Sequence, residues 1–328
     1  MKLYLFILLN IISIALVKAQ QVALSSQYVF NDFVINPAIA GVKDYLPVTL
    51  SVRRQWAGIK DAPVTQNVSA HGYVGLNLGC GGYIINEVTG PTKRTAANFS
   101  VAYHLKLSKG NNKKGQQKVL SFGLAAMLSQ HRYDVTKLKT YESSDEAVLR
   151  TLNYQVIPDM NAGVYFHQGN DYYLGLSAFH LVQTKRDLFE VVTPFNNGFK
   201  RTYYLTGGYN YVQSTNFSIQ PSVLFQMIEA TPFQVDVNAK FIYKKQYWIG
   251  VGYRMKDAIT TSIGIQKNIF RFGYAYDYSL SALSKYTSGS HEISLTVFLY
   301  YNESGNGGTR KKGGLKRDGG FKPMITEY

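Results

Sequence analysis

The chain alternates apolar and polar residues at every second position over segments of about ten residues. In residues 98–107, Phe99, Val101 and Tyr103 alternate with small or polar neighbours. A helical spacing would mix these two sets, whereas a spacing of two places each set on its own face of a β-strand. The same alternation recurs in residues 120–129, 217–227, 233–241 and 270–278.

This alternation is compatible with a soluble β-sandwich, which buries its apolar face, and with a membrane barrel, which turns that face to lipid. Gly, Ser, Ala, Asn and Gln dominate the opposite face, as suits a barrel lumen, and aromatic residues lie near the segment ends. Ten residues is also the length with which a tilted strand crosses a bilayer. The sequence therefore predicts an all-β, transmembrane, antiparallel up-and-down β-barrel in a bacterial outer membrane.

Fourteen segments carry the strand pattern. An even number returns both ends of the chain to one side, which we expect to be the periplasm. The connections on that side are short except for residues 108–117, and the long connections 131–159 and 183–200 lie on the opposite side. The predicted strands are 47–55, 65–74, 76–86, 95–107, 118–130, 160–167, 172–182, 201–212, 216–228, 233–243, 246–255, 258–267, 269–280 and 290–301.

The two ends of the chain differ in composition from the predicted barrel. Residues 1–19 have a positive start, an apolar run and small residues before Ala19, which predicts a signal peptide cleaved after Ala19. We expect residues 20–46 to be a periplasmic N-terminal segment, residues 47–301 the barrel and residues 302–328 a flexible, basic, Gly-rich tail.

Composition excludes several classes of protein. The chain has 328 residues, of which 45% are hydrophobic and 17% charged, so disorder throughout is excluded. A single cysteine excludes a disulfide framework and a cysteine metal cluster. A net charge of +15 requires nucleic acid to be considered as a partner. The basic residues are dispersed, however, the chain is predicted to be exported, and the sequence contains no nucleic-acid recognition motif. We therefore expect no nucleic-acid partner.

No catalytic, cofactor or metal motif is found in the sequence. It lacks His-Glu-x-x-His, Gly-x-Ser-x-Gly and a phosphate-binding loop, and Gly79, Gly81 and Gly82 lack dinucleotide-binding spacing. These glycines indicate a strand with little bulk on one face. We expect no enzyme and no cofactor; a barrel enzyme would require a close Ser-His or Asp-His pair in the lumen.

Two basic clusters are candidates for docking an acidic periplasmic partner. The alternative is that both are solvated, flexible extensions. One cluster lies in the connection 108–117 and the other in the tail. Their candidate residues are Lys109, Lys113, Lys114, Lys311, Lys312, Lys316 and Arg317.

One polar cluster follows from barrel closure. Arg53 and Gln55 on the first strand, Asp277 on the thirteenth and Glu292 on the fourteenth all have the parity of the lumen face. Because closure pairs the first strand with the last, Arg53, Asp277 and Glu292 should meet near the extracellular rim. The cluster is either an ion-pair network that fixes the seam or a polar contact for something that enters the lumen.

Several short blocks together resemble the PorP/SprF family of type IX secretion system outer-membrane proteins. The first is Asn-Pro-Ala-Ile-Ala-Gly at residues 36–41, and the second is Arg-Arg-Gln-Trp at residues 53–56. The order and spacing of the blocks carry the resemblance over residues 20–301. The remaining blocks are at residues 159–165, 175–178, 248–254, 273–277 and 289–295.

The resemblance implies a non-enzymatic component of protein secretion, gliding or adhesin display. Its implied partners are outer-membrane lipid, periplasmic ring and peptidoglycan-binding proteins of the system, and the C-terminal domain of a secreted cargo or adhesin. The alternative function is a passive porin or solute transporter. Asn36, Pro37 and Gly41 form either a compact turn that plugs the lumen or a tight turn that enters the first strand.

Overall fold

The structure is a computed structural model that describes residues 26, 28, 31–107, 117–134, 137, 154–183 and 199–300. It contains fifteen strand segments and, among the described residues, no helix that is long and apolar enough to cross a membrane. Short 3₁₀ turns occur at Asp32–Ile35, Pro37–Ile39 and Ala282–Lys285. The strands are β1 Tyr45–Arg54, β2 Val64–Gly75, β3 Leu78–Thr89, β4 Thr92–Lys106, β5 Lys118–Tyr133, β6 Tyr154–Gln168, β7 Tyr172–Phe179, β8 Thr202–Tyr209, β9 Tyr211–Ser214, β10 Phe217–Ile228, β11 Gln234–Tyr243, β12 Tyr247–Arg254, β13 Ala258–Lys267, β14 Phe270–Ser279 and β15 Ser290–Tyr300.

The strands form one closed antiparallel barrel. Strand β1 pairs with β15 from Tyr45 opposite Tyr300 to Arg54 opposite His291, so the first and last strands close the sheet. Segments β8 and β9 both pair with β10 and are separated only by Asn210, so together they make one barrel strand. The barrel therefore has fourteen strands, and the predicted fold class and strand number are confirmed.

The two ends of the barrel differ in their connections. We call the end with the start of β1 and the finish of β15 the terminus end, and the opposite one the loop end. At the terminus end, short turns join β2 to β3, β6 to β7, β11 to β12 and β13 to β14. The long connections between β5 and β6 and between β7 and β8 lie at the loop end.

The apolar face of the strands points outward. Phe99 on β4 and Leu124 on β5 are each 60% exposed, whereas Ser100 and Ser121 on the same strands are fully buried in the interior. Outward apolar side chains and a polar interior are the arrangement of a membrane barrel rather than of a soluble sandwich. The predicted orientation of the two faces is therefore confirmed.

The structure corrects several strand bounds. Strand β6 begins at Tyr154 rather than residue 160, because Pro158 lies on the outward face opposite Leu128 instead of ending the strand. Strand β3 begins at Leu78 rather than residue 76. Leu76 and Asn77 have φ of 52° and 62° and form the two-residue turn that precedes it. The predicted strand 201–212 is interrupted at Asn210.

Candidate functional site: a filled lumen and a charged seam

The segment before β1 lies inside the barrel. At its loop end, the backbone N–H of Ser26 donates to Glu292 Oε2 over 2.7 Å. At its terminus end, the Gly41 N–H donates to His71 Nδ1 over 3.2 Å. Between these contacts, Asn238 Nδ2 donates to the Tyr28 hydroxyl over 2.9 Å. The described residues from Ser26 to Gly41 therefore pass along the lumen, and we call them the lumen segment.

Asn36 and Pro37 shape the middle of the lumen segment. Asn36 precedes the second 3₁₀ turn, and its Oδ1 accepts from the Ala38 N–H over 2.9 Å, as an N-cap side chain does. Pro37 occupies the first position of that turn, where its fixed φ and missing N–H are tolerated. The Asn36 Nδ2 also donates to Val164 O on β6 over 3.0 Å. One side chain thus both caps the turn and attaches it to the wall.

Glycines on the barrel wall make room for this turn. A Cβ at Gly123 on β5 would overlap the backbone of Pro37 and Ala38, and a Cβ at Gly163 on β6 would overlap the Asn36 side chain. A Cβ at Gly79 on β3 would overlap the Ala40 carbonyl. The wall therefore lacks side chains along the path of the lumen segment, so backbone packs directly against backbone.

Apolar contacts fill the remaining space. Phe33 is 1% exposed and packs on His71 and Tyr83, with ring centroids 4.7 Å and 6.0 Å away. Ile39 is equally buried in the same cluster. The lumen segment is thus held by a core of its own within the barrel.

The structure brings Arg53, Asp277 and Glu292 together at the loop end. Arg53 Nη2 donates to Asp277 Oδ2 over 2.7 Å, and its Nη1 lies 3.3 Å from Glu292 Oε2. All three residues are at most 5% exposed. Gln55 is buried directly after β1, where its backbone N–H donates to the Pro63 carbonyl over 2.9 Å. Arg53 and Glu292 are direct partners in the closing β1–β15 ladder.

Further residues that the sequence analysis missed belong to this cluster, among them Arg254, Asp236 and Ser26. Arg254 donates to Asp236 Oδ2 over 3.0 Å and to Asp277 Oδ2 over 3.2 Å. The Ser26 hydroxyl accepts from Arg53 Nη1 over 2.7 Å and donates to Asp277 Oδ2 over 2.5 Å. The β11–β12 hairpin pairs Asp236 with Arg254, so lumen parity and hairpin register could have found that pair. Ser26 precedes every strand, and no strand pattern places it.

Two cavities border the lumen segment. The loop-end cavity is about 100 Å³ and the terminus-end cavity about 170 Å³. The terminus-end cavity is lined by Lys43, Lys240 and Arg271 against two acids, Asp32 and Asp171, so its described lining is net positive. The terminus end therefore carries a net positive lining that does not include the two predicted basic clusters.

The predicted docking residues fall outside the described part of the chain. This applies to Lys109, Lys113 and Lys114 in the connection between β4 and β5, and to Lys311, Lys312, Lys316 and Arg317 in the tail. The predicted signal peptide, residues 1–19, also lies outside the described residues.

Histidine pairs occur in the barrel interior. His104 Nδ1 lies 2.8 Å from the Ser121 hydroxyl, and His180 Nδ1 lies 2.6 Å from Asp159 Oδ2. These are one Ser-His and one Asp-His pair, the kinds that a barrel enzyme would require, and the His104 pair contains no carboxylate. Asp159 Oδ1 accepts from the Val182 N–H over 3.2 Å, so this aspartate joins the first half of β6 to the chain after β7. Among the described residues, no group of three or more His, Cys, Asp or Glu side chains could hold a metal ion.

Solved structures similar to this chain include a porin, a FadL homologue and a toluene transporter. The KdgM porin in complex with disordered oligogalacturonate is 8% identical, with a TM-score of 0.38, over 76% of this chain and 98% of that one. A Pseudomonas aeruginosa FadL homologue is 10% identical, with a TM-score of 0.46, over 81% and 93%. The P. putida toluene transporter TodX is 7% identical, with a TM-score of 0.48, over 81% and 92%.

Sequence comparison identifies the family. No curated protein sequence matches the chain. The family model described as type IX secretion system membrane protein PorP/SprF matches residues 17–297, which include the whole lumen segment and almost all of the barrel. Residues 36–41 and 53–56, which carry the sequence resemblance, form the turn and part of the seam described above. The chain belongs to the PorP/SprF family of type IX secretion system membrane proteins.

Proposed function

We propose that this chain is a non-enzymatic anchoring barrel of the outer membrane, which holds a secreted protein at its loop end and contacts periplasmic components of the secretion system at its terminus end. The lumen segment is the observation that carries the proposal. Asn36, Phe33 and Ile39 occupy the middle of the lumen with their side chains buried. A filled lumen suits an attachment point better than an open conduit.

The orientation follows from the connections. In bacterial single-chain barrels the short turns are periplasmic and the long connections extracellular. The two longest connections lie at the loop end, and most connections at the terminus end are short, so we assign the terminus end to the periplasm. There the described basic lining and the predicted basic clusters would meet an acidic partner. The implied partners there are ring and peptidoglycan-binding proteins. The implied partner at the loop end is the C-terminal domain of a secreted cargo or adhesin.

The test is affinity purification of the full chain, tagged at its C-terminus, from detergent-solubilised outer membranes. We expect secretion-system components or one large secreted protein to co-elute, identified by mass spectrometry. An identically tagged, unrelated barrel from the same cells is the control. Recovery of the barrel alone in a non-denaturing detergent would contradict the anchoring function.

A passive porin or solute transporter is the alternative function. Under this alternative, a solute could pass through the barrel only after the lumen segment had left the lumen. Conductance in planar bilayers separates the two functions, because the anchoring barrel is expected to be silent. A stable open pore formed by the unmodified chain would favour transport.

A further inference from the structure

We propose that the terminus-end cavity binds the carboxylate of an acidic side chain that a periplasmic partner presents. The proposal deepens the proposed function, on which it rests, because it names the chemical group by which the barrel holds that partner. The carrying observation is a set of three partly exposed cations that line one cavity together with a smaller number of acids.

Three elements of the chain contribute the cations of this cavity. Lys43 comes from the chain that enters β1, Lys240 from β11 and Arg271 from β14. Lys240 and Arg271 have the parity of the lumen face, because their neighbours Phe241 and Phe272 are exposed on the outward face. The three cationic residues are only partly buried and line the same cavity, so an occupant of the cavity lies beside them.

Contacts with the barrel wall hold Arg271 in place. Its Nη2 donates to Thr296 Oγ1 over 3.3 Å, and its guanidinium carbon lies 5.1 Å from the centre of the Phe298 ring. The Phe298 ring meets the Tyr45 ring edge to face, with centroids 5.0 Å apart. A guanidinium that is already positioned loses little conformational entropy when it pairs with a carboxylate, whose planar geometry it matches.

The three cations share one aspartate of the lumen segment. Asp32 interacts electrostatically with Lys43, Lys240 and Arg271. Lys240 is also repelled by Lys43 and Arg271. Such repulsion is stronger inside a protein than in bulk water, because the effective dielectric constant is lower. A further carboxylate among the cations would reduce this repulsion, whereas an uncharged group would not.

The charge of the lining favours an anion with a single charge. Asp171 is the second acid, so the described lining has three cations against two acids and a net charge of +1. One carboxylate neutralises this charge, whereas a phosphate group of about −1.5 to −2 exceeds it. A volume of about 170 Å³ suits a carboxylate on a short stem, since an engineered cavity of about 150 Å³ binds benzene.

The sequence of the chain favours another molecule as the source of the carboxylate. Residues 169–171, in the turn between β6 and β7, border the cavity, so it opens at the terminus end, which is periplasmic under the proposed orientation. The strand ends that flank residues 108–116 and 301–328 lie at the same end. Both of these segments are net positive, like the lining, and they therefore complement it poorly.

The binding test uses the purified full chain in an uncharged detergent and the probe N-acetyl-glutamate α-amide, labelled with ¹³C in its side-chain carboxylate. We expect saturable line broadening with the unsubstituted chain and binding about tenfold weaker with Lys240→Met, which removes a charged hydrogen-bond donor. The matched control is Lys244→Met, since Lys244 is exposed in the β11–β12 turn and lies outside the cavity lining. N-acetyl-glutamine amide, the uncharged analogue, should not bind.

A second variant separates binding from a purely structural role. Asp32→Asn removes the acid that competes for the three cations, so the same probe should bind about tenfold more tightly. Damage to the fold would weaken binding in both variants instead of changing it in opposite directions. The shift of each variant on heating in gel electrophoresis reports whether its barrel has folded.

Several results would overturn the proposal. Equal broadening with the unsubstituted chain, Lys240→Met and Lys244→Met would mean that the probe responds to detergent or to overall charge, and no broadening would mean that the cavity takes no carboxylate. Equal binding of N-acetyl-glycine would mean that any free carboxylate suffices. Binding that occurs only after removal of residues 302–328 would mean that the tail of the chain itself occupies the cavity.

Co-purification separates this proposal from the proposed function. If periplasmic components co-elute with the unsubstituted chain and with Lys244→Met but are lost with Lys240→Met, both proposals are supported. If they co-elute equally with all three, the anchoring function stands and the cavity proposal fails. If the probe binds but neither a periplasmic component nor a secreted protein co-elutes with any of them, the carboxylate site stands and the anchoring function fails.

Discussion

Arg53 is the central residue of the polar cluster at the seam where β1 pairs with β15. Its guanidinium contacts Asp277 on β14, Glu292 on β15 and Ser26 on the lumen segment, so one side chain joins the seam to the lumen filling. Such a buried network depends on every member being paired, because a buried charge that loses its partner is strongly destabilising.

We predict that Arg53→Ala destabilises the folded barrel by about 3–5 kcal/mol, because Asp277 and Glu292 stay buried without this cation. The temperature at which the folded band converts to the unfolded band in gel electrophoresis should fall. Arg54→Ala is the control, since Arg54 is the exposed neighbour on the same strand, and it should leave that temperature unchanged. The same conversion temperature for both variants would contradict the prediction.

The sequence predicts part of this cluster. Strand parity and closure place Arg53, Asp277 and Glu292 on one rim, because both follow from the period of two and the antiparallel order. The contribution of Ser26 cannot be predicted in this way. It depends on the path of a segment that has no periodic pattern.

The lumen segment packs against barrel strands whose glycines leave room for it. The sequence predicts from Gly79 and Gly81 that β3 has little bulk on one face, and it leaves open whether residues 36–41 form a plug or an entry turn. The wall glycines come from β3, β5 and β6, which are far apart in sequence. Only the closed barrel shows that their missing side chains leave space for the same segment.

We predict that Gly123→Ala displaces the lumen segment, since the new Cβ would overlap the backbone at Ala38. Conductance in planar bilayers should rise from silent to frequent openings, and trypsin should cleave after Lys43 faster than in the unsubstituted chain. Gly207→Ala is the control, because the nearest atom to its Cβ would be 3.7 Å away. A silent Gly123→Ala barrel would count against the packing described here.

The outer surface decides the environment of the whole molecule. Outward residues such as Phe99, Leu124 and Ile249 are at least 58% exposed, and they form an apolar belt around the strands. Alternation in the sequence fixes which residues share a face. The small and polar residues of the opposite face are what predict that the apolar face points outward. The strand ends are less predictable, as the late start of β3 and the early start of β6 show.

We predict that Leu124→Arg lowers the yield of folded barrel in the outer membrane, because an arginine on the lipid face near mid-membrane costs about 2–4 kcal/mol. The measurement is the folded fraction in membrane extracts on unheated gels. Leu76→Arg is the control, since Leu76 lies in the β2–β3 turn and is 88% exposed. Comparable loss in both variants would argue against a lipid-facing β5.

The position of the lumen segment also constrains the order of assembly. The segment directly precedes β1, and β1 completes the barrel by pairing with β15. Once those two strands have joined, Phe33 and Ile39 can reach their places only if the chain is threaded through an already closed ring, which protein chains almost never do. We therefore expect the segment to be in place before the ring closes, so that the barrel forms around its own lumen filling.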